Sequence, residues 1–195
     1  MIDMTNITVK NPPQLIDRVR IPGVEGMLGI TSCPGMRDDF IFDLYSESLL
    51  DDLQAIRSWG AAVVITLLEE TELNVLGVRE LGKHVVALNM VWLHLPVRNS
   101  RLPDERFMEK WRMVVPSLCN LLQKGQHVVI HCKEGIGRAG LIAASLLVEL
   151  GLPVDEAVSI VRKARPGSLF LDAHEKYCHT LAAGRNNFAR PETSY

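Results

Sequence analysis

Five residues, two of them glycines, separate Cys132 from Arg138 in the stretch His131-Cys132-Lys133-Glu134-Gly135-Ile136-Gly137-Arg138. A thiol at one end and a guanidinium at the other suit capture of a tetrahedral oxyanion followed by nucleophilic attack. Gly135 and Gly137 reach positive φ at little cost, so successive backbone N–H groups can turn inward around an anion. Arg138 supplies a planar fork for two phosphate oxygens. A thiol in the field of a guanidinium and a helix N-terminus is favoured as the thiolate, the nucleophilic form. Such a thiolate beneath a bound phosphate is poised for in-line attack on phosphorus, giving a phosphocysteine intermediate. On this reading Cys132 is the nucleophile, and Lys133, Glu134, Gly135, Ile136, Gly137 and Arg138 form the phosphate cradle. Taken alone, a cysteine at a strand end is commonly an inert core residue, and Cys-x5-Arg is a loose pattern. The full string is far more demanding when it lies between a strand and a helix.

The flanking sequence supplies that context. The apolar run Val128-Val129-Ile130 reads as a strand ending at His131, and a helix-like segment from Arg138 closes at Gly151. Upstream, residues 19–32 read as two short strands around Pro22-Gly23, and Cys33-Pro34-Gly35 stops the second. A strand lying beside the Cys132 loop would place Cys33 near it, with a buried core role favoured over a redox one. Residues 46–59 repeat apolar positions at helical spacing, with Ser46 or Ser48 as cap and Gly60 as terminator. The continuous apolar run 61–68 fits a strand buried on both faces. Glu69, Glu70 and Glu72 read as the solvated start of a second helix over 73–83, ahead of a metal site. A strand over 91–97, a loop over 96–107 and helices over 107–122, 153–164 and up to about Gly184 complete the chain. Alternating strands and helices predict an α/β fold with a central, mostly parallel sheet, its ligand site at the carboxyl ends of the strands.

Composition bounds the rest. The chain has 195 residues, 47% hydrophobic and 23% charged, which suits one globular domain. Residues 1–19 read as an arm or edge strand, 20–184 as the domain and 185–195 as a polar tail. Net charge is −2, so no nucleic-acid surface is expected and any anion site must be local. No apolar run approaches the ~18–20 residues of a membrane span. Cys33, Cys119, Cys132 and Cys178 lack paired metal-ligand spacing. Free thiols and the absence of a secretory pattern fit a reducing, cytoplasmic location, with no metal and no cofactor expected.

The string HCKEGIGR resembles the signature loop of the cysteine-dependent protein tyrosine phosphatases, in the small dual-specificity branch. Together with GITSCPG (residues 29–35) and PVRNSRLPD (96–104), the chain is most similar to the kinase-associated (cyclin-dependent kinase inhibitor 3-like) group, over about residues 20–183. The resemblance implies the protein tyrosine phosphatase-like fold, a metal-independent phosphomonoesterase, and a phosphorylated protein or small phosphoester as partner. It also implies a general acid, an Asp in a Pro-x-x-Asp pattern. Here Asn99 occupies that position, and Asp104, five residues on, is the candidate substitute, although Pro103-Asp104-Glu105 is equally an ordinary helix start. Ala139 stands where most members carry Ser or Thr, as it does in the slow PRL type, and this implies reduced turnover. His174 stands where many members have a water-positioning Gln, and a surface role is favoured for it. His131 is expected to brace the loop backbone, with Arg98 and Arg165 as secondary anion contacts. These departures keep a second function in view, a weakly active or inactive phosphate- or phosphoprotein-binding module. Rhodanese-like sulfur transfer ranks lower, because Gly-x-Gly-Arg favours phosphate.

Overall fold

A computed structural model describes residues 16–36 and 45–188. Two short strands, β1 (Asp17–Arg20) and β2 (Met27–Thr31), pair antiparallel with Asp17 opposite Ile30 and Arg20 opposite Met27. Helix α1 (Tyr45–Ser58) leads into β3 (Ala61–Thr66), followed by α2 (Glu70–Val75), α3 (Leu81–Ala87) and β4 (Val91–His94). Then come α4 (Glu105–Gln123), β5 (His127–His131), α5 (Gly137–Glu149), α6 (Val154–Ala164) and α7 (Asp172–Phe188). The sheet order is β1-β2-β5-β3-β4. The pairs β2/β5, β5/β3 and β3/β4 are parallel, so the expected α/β fold with a mostly parallel sheet is what forms.

Strand alternation divides the sheet between two cores. Leu28, Ile30, Val63, Ile65, Val128 and Ile130 pack with Trp111, Leu118, Leu141 and Leu147 on the face covered by α4 and α5. Val64 and Val129 point the other way, against Leu53 and Ile56 of α1 and Leu81 and Val85 of α3. Because both faces are covered, β3 and β5 read as unbroken apolar runs rather than alternating ones. The central strand β5 carries Cys132 just past its carboxyl end. Almost every residue of α5 from Arg138 to Val148 is buried, so this helix is held rigidly behind the loop it follows.

Several boundaries differ from the sequence reading, each for a local reason. The single helix expected over 73–83 is two, because Gly77 takes a left-handed conformation (φ 69°) and ends α2. Strands β3 and β4 stop at Thr66 and His94, short of the expected 68 and 97. The chain stays pinned beyond them, with Leu95 N–H donating to Thr66 O (3.0 Å) and Val97 N–H to Leu67 O (3.0 Å). The edge strand starts at Asp17, inside the stretch read as an arm or edge strand, and α7 continues past Gly184 to Phe188. The arm segment Ile7-Thr8-Val9, the tail 189–195 and the Ser46 or Ser48 cap lie outside the described residues and side chains. Among the described residues no helix is long and apolar enough to cross a membrane.

Candidate active site

The loop is anchored before any ligand arrives. Gly135 sits at φ 73°, and a Cβ there would lie 2.6 Å from the Thr31 carbonyl oxygen, so only glycine lets the loop pass β2. Its N–H donates to Cys132 Sγ at 3.2 Å. Cys33 N–H donates to Lys133 O (3.0 Å). On the other side, Arg165 Nη2 donates to Glu134 O (2.7 Å) while its Nη1 pairs with Asp17 Oδ2 (2.5 Å). Arg165, expected as a secondary anion contact, spends one N–H of each terminal nitrogen in tying the loop to the edge strand. The side chains of Lys133 and Glu134 are exposed next to each other with opposite charge.

Arg138 opens α5 with its side chain only 6% exposed. Nη1 donates to Glu72 Oε2 (2.7 Å) and Nη2 to Glu72 Oε1 (2.8 Å), a two-point fork. Nη1 also donates to Val97 O (2.9 Å), with Leu67 O at 3.4 Å. A guanidinium has five N–H donors. Among the described residues the protein uses the Nη1 pair and one of the Nη2 pair, which leaves Nε–H and the second Nη2–H side by side, a second fork with no partner among them. Burial works to lower the Arg138 pKa, but the Glu72 pair outweighs it and the result is raised, so the charge is secure. For Glu72, burial pushes up, and hydrogen bonds from Arg138 and the Glu69 backbone overcome it, leaving the carboxyl below its usual range.

Glu72 corrects the reading of the acidic cluster as solvated. Glu69-Glu70-Glu72 does start α2, and Glu69 N–H donates back to Glu72 Oε2 (2.9 Å) in a capping arrangement. Yet the same carboxylate turns inward to hold Arg138, 66 residues away in sequence. Local composition carries no signal for that.

His131 is fully buried, Nε2 lying 2.8 Å from Thr66 Oγ1 and Nδ1 3.4 Å from Cys132 O. Burial lowers its pKa to about 4, against the opposing pull of the Cys132 carbonyl. It is therefore a neutral brace, as expected. Cys33 is also fully buried, and burial, then the charge at Cys132, pushes its thiol well up. That agrees with a core role.

The remaining candidates sort differently. Asp104 is the N-cap of α4, its Oδ1 accepting from Phe107 N–H at 3.0 Å. With His94, Val97, Arg98 and Arg101 it also lines a cleft of about 940 Å³, which adjoins Arg138 through Val97. Asn99 is exposed in the turn before Ser100, a residue in the left-handed region (φ 55°). Ala139 is completely buried and offers no hydroxyl, so Gly135 N–H is the one donor on the sulfur among the described residues. His174 is 5% exposed, which overturns the surface reading. The first turn of α7 presses it inward, edge-on to Phe170 (5.6 Å), and burial lowers its pKa.

Comparison with known proteins adds the lineage. The family model described as "Polymorphic toxin system, DSP-PTPase phosphatase" matches residues 43–152, more than half of the chain. The chain belongs to this DSP-PTPase phosphatase family. Tyrosine-protein phosphatase cdc-14 of Caenorhabditis elegans is 36% identical over 87 residues, covering 41% of this chain and 11% of that protein. PRL-1 phosphatase of Drosophila melanogaster is 29% identical over 82 residues, 38% of this chain and 42% of that one. The chain thus spans less than half the length of these curated relatives. The DSP-PTPase fold also matches the crystal structure of kinase-associated phosphatase with its catalytic-site cysteine replaced by serine. That match has a TM-score of 0.75 at 20% identity and covers 93% of this chain and 99% of the other.

Proposed function

We propose that the chain hydrolyses phosphomonoesters, with a phosphoprotein as the substrate class, through a phosphocysteine intermediate on Cys132. The observation that carries this reading is the Nε/Nη2 fork of Arg138, which has no partner among the described residues and is held by Glu72 at the end of a loop whose Gly135 N–H already donates to the Cys132 sulfur. The loop N–H groups, the α5 N-terminus and Arg138 bind the dianion. The Cys132 thiolate attacks phosphorus as the ester P–O bond breaks, and the leaving oxygen takes a proton. Asp104 is the proposed donor, at the rim of the adjoining cleft. Water then attacks phosphorus, the P–S bond breaks, and inorganic phosphate leaves with thiolate restored. With no hydroxyl at Ala139, departure of the thiolate relies on Gly135 N–H, and this second step is expected to limit turnover. Loop amides and guanidinium supply the positive charge the transition state needs, so the reaction is proposed to be metal-independent.

The test is hydrolysis of an aryl phosphate in the presence of chelator, wild type against Cys132→Ser. The wild type is expected to turn over and the variant to fold and bind phosphate without turnover, because a serine hydroxyl is not ionised at neutral pH. Oxyanion binding without any wild-type turnover would replace this reading with a phosphate-binding module.

A further inference from the structure

We infer that Trp92 is a positioning residue for the nucleophile loop: acting through Thr66, its indole N–H sets which nitrogen of His131 carries the proton, and hence whether His131 can hold the Cys132 carbonyl. The inference rests on the reading of Cys132 as nucleophile. Trp92 lies on β4, and its Nε1 donates to Thr66 Oγ1 at 2.8 Å. Thr66 ends β3 in register with His131 on β5, its hydroxyl 2.8 Å from Nε2. The chain closes on Cys132 O, 3.4 Å from Nδ1.

Donor and acceptor capacity gives this chain one direction. A carbonyl oxygen can only accept, so the loop end favours hydrogen on Nδ1, a weak preference at 3.4 Å. At the other end the Thr66 oxygen already accepts from Trp92, and among the described residues its own hydrogen has one acceptor in reach, His131 Nε2. Were Nε2 protonated instead, a fully buried hydroxyl would be left undonated, which costs more than an ordinary hydrogen bond contributes. Both ends therefore select the Nδ1–H form of a neutral ring. A threonine hydroxyl alone could serve either tautomer. The indole, which donates and never accepts, removes that choice.

Trp92 is itself held in place. A Cβ on Gly82 of α3 would fall 2.4 Å from the indole ring, so the glycine is what lets the ring lie there. His94 stacks on the indole with ring centroids 5.2 Å apart. The consequence reaches the anion site because N–H and C=O of a trans peptide point in opposite directions. Holding the Cys132 carbonyl back toward His131 aims the Lys133 N–H away from the strand.

Nitrogen NMR on histidine-labelled full-length protein tests this, with His131→Gln assigning the His131 signals by their absence. The wild type is expected to show a protonated Nδ1 and an unprotonated Nε2. In Trp92→Phe, which keeps a ring and loses the N–H, both tautomers are expected, with kcat on an aryl phosphate down about fivefold, the share of one ordinary hydrogen bond. Thr66→Val is expected to act alike, and Thr66→Ser to restore the single tautomer, so the threonine pair decides if Trp92→Phe does not fold. A wild type protonated on Nε2 overturns the inference. So does an unchanged Nδ1–H form in both Trp92→Phe and Thr66→Val. The tautomer is read without turnover, so a wild type that hydrolyses nothing refutes the phosphatase reading and leaves the spectra to decide this one.

Discussion

Replacing Glu72 by Gln puts the strongest demand on the site as described. The carboxylate accepts from Arg138 Nη1 (2.7 Å), Arg138 Nη2 (2.8 Å) and Glu69 N–H (2.9 Å). Gln is the same size, but its amide NH2 would face a guanidinium N–H, so one charge-assisted bond, worth about 1.5–3 kcal/mol, is lost. Removing one partner of a fully buried pair costs about 3–5 kcal/mol. Glu72 is 22% exposed, and solvent relieves part of that, so about 2–3 kcal/mol is expected. For a chain of this size each kcal/mol moves Tm by about 2–4 °C, and the drop should be roughly 5–10 °C. Vanadate inhibition should weaken about tenfold or more as Arg138 loses its fixed plane, equivalent to ~1.4 kcal/mol. The pH dependence has a definite sign. The folded pKa of Glu72 is lowered, so its stabilisation is present above the unfolded carboxylate value of about 4.3 and is lost as pH falls through the folded value. The gap between wild type and variant should therefore close in acid. Thermal melts and vanadate titrations at pH 7 and below pH 4 measure all of this. A variant with Tm within about 1 °C of wild type and unchanged inhibition would refute the view that Glu72 positions Arg138.

Three further outcomes are expected. Asn caps a helix about as well as Asp, so Asp104→Asn should leave Tm nearly unchanged. It should slow alkyl phosphates by about 10²–10⁴ and nitrophenyl phosphate far less, whereas equal effects on both substrates would confine Asp104 to capping α4. Gly135→Ala should abolish oxyanion binding and lower stability by more than about 1 kcal/mol in urea melts, because φ 73° and the Thr31 carbonyl at 2.6 Å both exclude a Cβ. Finally, His131 stays neutral in the fold down to about pH 4 but takes up a proton in the unfolded chain near pH 6.5, so stability is full above that value and falls with acid. Urea melts should show a loss of about 2 kcal/mol between pH 7 and 5 from this ring, and a flat profile would contradict its burial.

The Cys132–Arg138 loop was legible because its requirements are local. A buried strand needs an apolar run, a tight anion-binding turn needs Gly135, and the helix behind it needs an uninterrupted apolar stretch. Each of these leaves its mark within the 20 or so residues around Cys132. The same holds for the mostly parallel sheet, whose doubly covered strands β3 and β5 are written as Val-Val-Ile-type runs. Pairings between distant segments are different, because they depend on which strand ends the topology brings together. Glu72 reads as one more acid at a helix start until β3 and β5 lie side by side and set it against Arg138. Arg165 reads as a secondary anion contact, and its pairing with Asp17 shows only once α6 ends beside β1. His174, polar and flanked by charged residues, reads as surface until α7 rotates it inward against Phe170. Sequence alone pointed to the proposed reacting groups, because their chemistry lies in residue type and short spacing. Only the tertiary structure decided what orients them, because a hydrogen bond across 66 residues is set by strand order and helix rotation, which no local pattern encodes.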